Sequence, residues 1–304
     1  MARRVSTFVI SLTPFTEDGA LDEAGLRAHL RRLAASGIGI YVGGSGSGEG
    51  YTLSPLERGR VLEIAREEVG KDIPLRAMGV EPRSAAEMIA YAELVTRAGL
   101  DAMQIYSLDE GHGNRPKGRE LETFLRDVLE AVACPVVLSS HQSVGYALPR
   151  ELVVELIESY DQIIGINFTH QDVAALGRMV EAVAGRIDIH VGGPMQAITA
   201  LALGAQGYLS SEGNLAPKLC VRVIEHHRRG ELAERDAAFK KVIQLFAETQ
   251  ALGGIPATKG GLRALGLAGG WPRRPRLPVD AAAGRQLAKC FEELGLREIE
   301  GLEA

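Results

Sequence analysis

Two patterns of apolar positions alternate along the chain. Short runs rich in apolar and β-branched residues read as buried strands: VSTFVISL, GIYVGG, PLRAMGV, DAMQIY, PVVLSS, IIGINF, IDIHVG and GYLS. Between them lie longer runs whose apolar residues recur every three or four positions. In DEAGLRAHLRRLAAS, Leu26, Leu30, Leu33 and Ala34 share one helix face, and PLERGRVLEIAREEV reads the same way. Strands separated by helices are parallel and joined by right-handed crossovers. Eight such units favour a closed barrel over an open doubly wound sheet. The expected fold class is therefore α/β: a TIM (β/α)8 barrel over residues 1–230 with a C-terminal helical extension over 231–304 packed on it.

A weak internal repeat accompanies the pattern. AASGIGIYV, TRAGLDAMQ and LALGAQGYL each end a helix in glycine and re-enter a strand, making Gly37, Gly99 and Gly204 candidates for left-handed caps. Any alternating α/β chain uses such caps, so the repeat bears on architecture alone. After the eighth strand the spacing predicts helices over 212–229, 231–252, 258–265 and 280–294, the last two parted by GGWPRRPRLP.

The 304 residues, 46% of them hydrophobic, are ample for a core without a disulfide or metal staple. A net charge of -5 with no long basic run argues against a nucleic-acid partner. No apolar run is long enough to span a membrane. The opening MARRVSTFVISLTPF has its short apolar stretch broken by Ser and Thr, unlike a secretory signal. A cytoplasmic protein with no membrane partner is expected. Cys134, Cys220 and Cys290 are far apart and form no CxxC, which excludes a zinc ribbon or disulfide framework.

In a barrel of this kind the reacting groups sit at the C-terminal ends of the strands. Those ends offer Thr13-Pro14-Phe15, then the loop GGSGSGEG from Gly43 to Gly50, then Tyr106 to Glu110 with His112 nearby. Further on come Ser139-Ser140-His141-Gln142, then Asn167, Thr169 and His170, then His190 with Gly192-Gly193, and Ser210 to Asn214. The glycine-rich loop lacks GK[ST] and fails GxGxxG. It is either a nest of amides open to an anion or a tight turn that needs glycine at positive φ. His112, His141, His170 and His190 stand where imidazoles serve as acid/base groups, although singly each reads most simply as a hydrogen-bonded structural histidine. No HxH or HExxH spacing supports a metal, so neither metal nor cofactor is expected.

Four segments together resemble one family. SLTPFTEDGALDEAGLRAHLRRLAASGIGIYVGG is similar to the opening T-P-F…G…D…L…G pattern of the dihydrodipicolinate synthase/N-acetylneuraminate lyase family. SGSGEGYTLSPLER resembles its G-T-T-G-E…L-S-x-x-E-R, LGAQGYLSSEGNLAP its G-A-x-G-x-I-S-x-x-x-N-x-x-P, and ATKGGLRALGL…PRRPRLP its C-terminal segment. The resemblance covers nearly the whole chain. It implies a TIM barrel with a helical extension, assembled as a homo-oligomer (dimer or tetramer). It also implies a small-molecule substrate, with a C–C bond made or broken beside pyruvate or a similar 2-oxo acid through a lysine Schiff base.

The same resemblance removes several of the family's reacting groups. IIGINFTHQD is similar to the family's I-I-G-I-K-E-x-x, so the Schiff-base lysine falls on Asn167, whose amide nitrogen cannot form an imine. The Tyr-Asn-x-Pro motif falls on LSSH, placing the catalytic tyrosine on Leu138, and P-Y-Y falls on SLD, placing the second tyrosine on Asp109. The two threonines of G-T-T-G-E fall on Gly46 and Ser47, the first glycine of that loop on Ser45, and the carboxylate-binding arginine of some members on Ser143. Lys117, Lys218 and Lys259 read as solvated side chains rather than substitutes.

So many linked changes read as a rebuilt site: a divergent lyase acting on a small carboxylate or 2-oxo acid-like substrate without a Schiff base. In that reading Asn167 donates to a developing oxyanion and His141 or His170 moves the proton. Gly46, Ser47 and Gly48 hold a carboxylate, and Ser139 and Thr169 line the site. Asn167, His141, Gly46 and Ser47 are expected at one mouth of the barrel. Two other readings stay open: a non-catalytic ligand-binding or partner protein on the same scaffold, and a divalent-metal-dependent enzyme using His170, His190 and Asp109.

Overall fold

The computed structural model describes residues 5–303. Eight strands pair in sequence order into a closed barrel: β1 (Ser6–Ile10), β2 (Gly39–Val42), β3 (Leu75–Ala77), β4 (Ala102–Ile105), β5 (Val136–His141), β6 (Ile163–Thr169), β7 (Asp188–Gly192) and β8 (Gly207–Ser210). The pairs β1–β2 and β3 through β8 run parallel. Between the strands lie α1 (Glu23–Ala35), α2 (Pro55–Glu68), α3 (Ala85–Ala98), α4 (Gly118–Ala131), α5 (Arg150–Ser159), α6 (Val173–Val183) and α7 (Ala197–Ala202). After β8 come α8 (Pro217–Arg229), α9 (Leu232–Ala251), α10 (Ile255–Ala264), α11 (Ala281–Leu294) and α12 (Leu296–Glu300). The TIM barrel with a C-terminal helical extension, expected from the alternation, is the fold.

Local chemistry explains the boundaries. Asp22 caps α1 by accepting from the Gly25 amide, and Ser54 with Glu57 forms a reciprocal capping box on α2, where Pro55 opens the first turn. Gly37, Gly99 and Gly204 have φ of +79°, +72° and +95°, the left-handed caps read from the sequence. The largest boundary difference follows β8. Residues 212–214 form a 3-10 turn, and α8 starts only at Pro217. Proline at the start of a helix gives up an amide that has no intrahelical acceptor there. Among the described residues no helix is long and apolar enough to cross a membrane.

By internal contact the chain divides into two compact units. The first is Arg76–Leu209, carrying β4 to β7 and α3 to α7. The second joins Ser6–Leu75 to Ser210–Ala304, so α8 to α12 belong with β1, β2, α1 and α2. Within the second unit Asn214 is a hub. Its Oδ1 accepts from the Leu12 amide at 2.9 Å and from His29 Nε2 at 2.9 Å, and its Nδ2 donates to the Ile10 and Ser211 carbonyls. All the ordinary bonding capacity of a buried amide is thus used to tie β1, α1 and the turn after β8 together.

Candidate active site

Strand parity sorts the side chains of the first unit. Phe168 of β6 and His170, the residue just after that strand, border a groove of about 270 Å³ together with Leu148, Glu151, Ala175 and Met179 of the α5 and α6 region. That side of β6 faces the helices, so Asn167 and Thr169 face inward. Asn167 Nδ2 donates to Gln104 Oε1 at 2.5 Å. Gln104 is on β4, and both β4 and β6 flank β5, so this bond passes across the inner face of β5. Register extends the row. Ser139 pairs with Asn167, which pairs with His190, while Arg76 pairs with Ala102, two residues before Gln104 on the same face. Arg76, Gln104, Ser139, Asn167 and His190 are all buried. Thr169 closes the row at an exposed position, its Oγ1 so near Gly192 that a Cβ there would collide with it.

The charges in this row follow from burial. His190 is pushed down to about 3 by burial, helped by the positive charge of Arg76, and is neutral in the working range. His141, the next inner position of β5, packs edge-on against Tyr106 with centroids 5.0 Å apart. Its Nε2 lies 3.6 Å from Glu81 Oε1, and its Nδ1 meets Ser143 Oγ. Burial lowers the His141 pKa and Glu81 opposes that shift. The Tyr106 hydroxyl is pushed above its ordinary range by burial and then by Glu81, so it keeps its proton. A neutral imidazole, a protonated phenol and a carboxylate therefore stand together, a set able to take up and return one proton.

Several sequence expectations change. His170 lies on the helix-facing side of β6, its ring stacked on Phe168 at 5.6 Å, apart from Asn167. Leu138 also faces outward: it pairs with Ile105 and Ile166 and is fully buried, so Ser139 is the inner residue of that strand turn. Asp109 lies beyond β4 and pairs with Arg83 at 2.9 Å, whereas Tyr106 is the residue that reaches His141. His170, His190 and Asp109 are thus not gathered. Among the described residues no group of three or more His, Cys, Asp or Glu side chains is placed to hold a metal ion. Arg76, Glu81 and Gln104 were missed. A lone arginine in PLRAMGV and a lone glutamine in DAMQIY, each inside an apolar strand, are the signals that mark two of them.

None of the eight strands carries a lysine. Lys117 is exposed at the start of α4, and Lys218 Nζ donates to the Glu300 carbonyl at 2.6 Å. Lys259 departs most from expectation. It is not solvated but fully buried in the second unit, paired with the equally buried Glu49, and burial pushes it down to about 8.

Glu49 is the penultimate residue of the glycine-rich loop of that unit. The Glu49 and Gly50 amides donate to the Gly46 and Gly44 carbonyls at 3.1 and 2.9 Å. The amides of Gly46, Ser47 and Gly48 donate to no protein acceptor among the described residues, although Ser47 is only 3% exposed. Gly48 is glycine because of close approach rather than positive φ: a Cβ there would lie 2.8 Å from both N and O of Gly44.

A sequence profile described as the dihydrodipicolinate synthetase family matches residues 1–294. The chain belongs to that family. The 4-hydroxy-tetrahydrodipicolinate synthase of Methanopyrus kandleri is 31% identical over 293 residues, 94% of each chain. YagE, a prophage protein of the dihydrodipicolinic acid synthase family from E. coli K12 solved in complex with pyruvate, is 26% identical. It has a TM-score of 0.87 and covers 96% of this chain and 99% of its own. A monomeric dihydrodipicolinate synthase variant, 19% identical, superposes with a TM-score of 0.89 over 96% of this chain and 97% of its own, and bears on the fold alone.

The buried histidines give this family member a definite pH response. His29 and His190 are each pushed down to about 3, mainly by burial, against an ordinary value of 6.5. Above pH 6.5 both are neutral folded or unfolded, and stability is at its full value. Between 6.5 and about 3 the unfolded chain takes up protons that the folded chain refuses, so stability falls as pH falls. The loss approaches about 1.4 kcal/mol per histidine for each pH unit below that window's upper edge. Urea midpoints at pH 7 and pH 5 measure it. His29→Gln is expected to flatten the slope, and an unchanged slope would refute the assignment.

Proposed function

We propose that this member of the family is a lyase that breaks or makes the C–C bond beside the carbonyl of a small 2-oxo acid without forming an imine. The observation that carries the reading is Asn167. It occupies a buried inner position of β6, its amide is held by Gln104, and none of the eight strands offers a lysine. The synthase among its relatives and the pyruvate complex of YagE support a 2-oxo acid as the substrate class.

In the cleavage direction the substrate is a 2-oxo-4-hydroxy acid. Neutral His141 takes the proton from the 4-hydroxyl group, the C4 oxygen becomes a carbonyl, and the C3–C4 electron pair moves into an enolate whose charge rests on the C2 oxygen. An Asn167 N–H donates to that oxygen, a contact worth about 3–4 kcal/mol when aimed at a developing oxyanion. The buried Arg76 charge on the same inner face favours the anion. The proton held by His141 then passes to C3, releasing pyruvate or its analogue with atoms and charge balanced. Tyr106 and Glu81 keep the imidazole in place. Ser139 and Thr169 line the row, and the unused amides of Gly46, Ser47 and Gly48 are the proposed holders of a carboxylate.

The reading is tested by incubating the protein with pyruvate and borohydride and weighing it. No lysine adduct is expected, and a reduced adduct mapped to Lys117, Lys218 or Lys259 would overturn the imine-free mechanism. The pH profile is a second check. Because burial lowers His141, the rate should hold through neutral pH and fall only below about 6.5, the ordinary histidine value. His141→Gln should lower turnover by about 10²–10⁴-fold. An acid limb centred above pH 7 would assign the proton transfer to another group.

A further inference from the structure

The Glu49–Lys259 pair is the feature of the second unit that stability explains least. Both side chains are 0% exposed. Lys259 Nζ donates to the Glu49 carboxylate, to the Thr13 carbonyl at 2.8 Å and to the Trp271 carbonyl at 2.9 Å, and it stands 4.6 Å from the Phe15 ring centroid. The other Glu49 oxygen accepts from the Arg273 amide at 3.1 Å. The Arg273 guanidinium in turn bonds Glu57, the Thr52 carbonyl and the Gly19 carbonyl. The C-terminal segment thus grips the glycine-rich loop through both oxygens of Glu49. Desolvating two charges consumes most of what their attraction returns, so such a pair is weak evidence for stability and better evidence for a fixed geometry.

The geometry it fixes is unusual. Glu49 sits at φ +48°, a left-handed conformation that side chains other than glycine, asparagine and aspartate seldom adopt. Immediately before it lie the three amides that donate to no protein acceptor. The loop spans only Gly43 to Gly50 and is rich in glycine, so without an anchor its amides would scatter over many orientations. An anchored Glu49 leaves the preceding N–H groups set before any ligand arrives, which removes the ordering cost from binding.

We infer that Lys259 is a positioning residue: through Glu49 it holds the amides of Gly46, Ser47 and Gly48 in the orientation that binds a substrate carboxylate. The inference rests on the proposed role of those amides. Lys259 itself touches no substrate, because all its donors are directed at Glu49, Thr13 and Trp271.

The test uses the full chain, pyruvate as probe, and the double variant Glu49→Gln with Lys259→Met. That variant removes both charges together and leaves no buried charge unpaired. Three quantities are read: pyruvate affinity by calorimetry, thermal midpoint, and hydrogen exchange of the Glu49 and Gly50 amides against amides of α8. The expected result is a fold that still melts cooperatively, loop exchange faster by about tenfold with α8 unchanged, and pyruvate affinity weaker by about tenfold or more. Pyruvate binding equal to that of the natural protein would overturn the positioning role while leaving the carboxylate role intact. No pyruvate binding to the natural protein would overturn the carboxylate role and this inference with it. Should the double variant fail to melt cooperatively, Glu49→Gln with Lys259→Gln is read the same way, since two amides can still hydrogen-bond across the gap while no buried charge is left unpaired.

Discussion

Lys259→Ala is expected to cost about 3–5 kcal/mol of stability, the usual price of leaving one member of a buried ion pair uncompensated. The Glu49 carboxylate would keep only the Arg273 amide, and the Thr13 and Trp271 carbonyls would lose their donor. A domain's whole stability is about 5–15 kcal/mol, so the variant should unfold at markedly lower urea. Its midpoint against that of the natural protein is the measurement. A loss under about 1 kcal/mol would mean that water reaches the pair and that its burial is not maintained in solution.

Asn167→Ala is expected to lower turnover of a 2-oxo-4-hydroxy acid by about 10²–10³-fold, the cost of removing one donor from an oxyanion site. It also strips Gln104 Oε1 of its partner, which loosens the inner row. Asn167→Lys is not expected to restore imine-based cleavage. A lysine there must lose a proton to attack a ketone, from an unperturbed value of about 10.4. Burial and the charge of Arg76 would help it do so. The surroundings are the obstacle. The groups that would shuttle protons to and from an imine are His141 and Tyr106, arranged around Glu81 rather than around position 167. Steady-state rates for both variants check this. An Asn167→Lys enzyme that matches an imine-forming aldolase would mean that a single substitution separates this site from the ordinary one.

The barrel was legible because every strand–helix unit repeats the same two hydrophobic periods, and because glycine at positions 37, 99 and 204 marks where helices stop. The site was legible only in part. Asn167 and His141 were singled out by reading strand ends, but strand ends alone do not say which way a side chain points. Counting by twos from Asn167 puts Phe168 and His170 on the helix side, and the same count along β5 separates Leu138 from Ser139. Lys259 was misread for a different reason. Its partner Glu49 is 210 residues away, and nothing in ATKGGLRALGL marks that lysine as buried. Glu81 follows β3 in a stretch with no apolar period, so only the fold brings it to His141.

The central claim is that the carbonyl of the substrate is never converted to an imine. Forming an imine expels the C2 oxygen as water, and hydrolysing it restores an oxygen from solvent. Cleavage of a 2-oxo-4-hydroxy acid labelled with ¹⁸O at C2, quenched early and corrected for uncatalysed exchange, reads this directly. Retention of the label in the 2-oxo acid product is the predicted result. Loss of the label at the rate of turnover would contradict it.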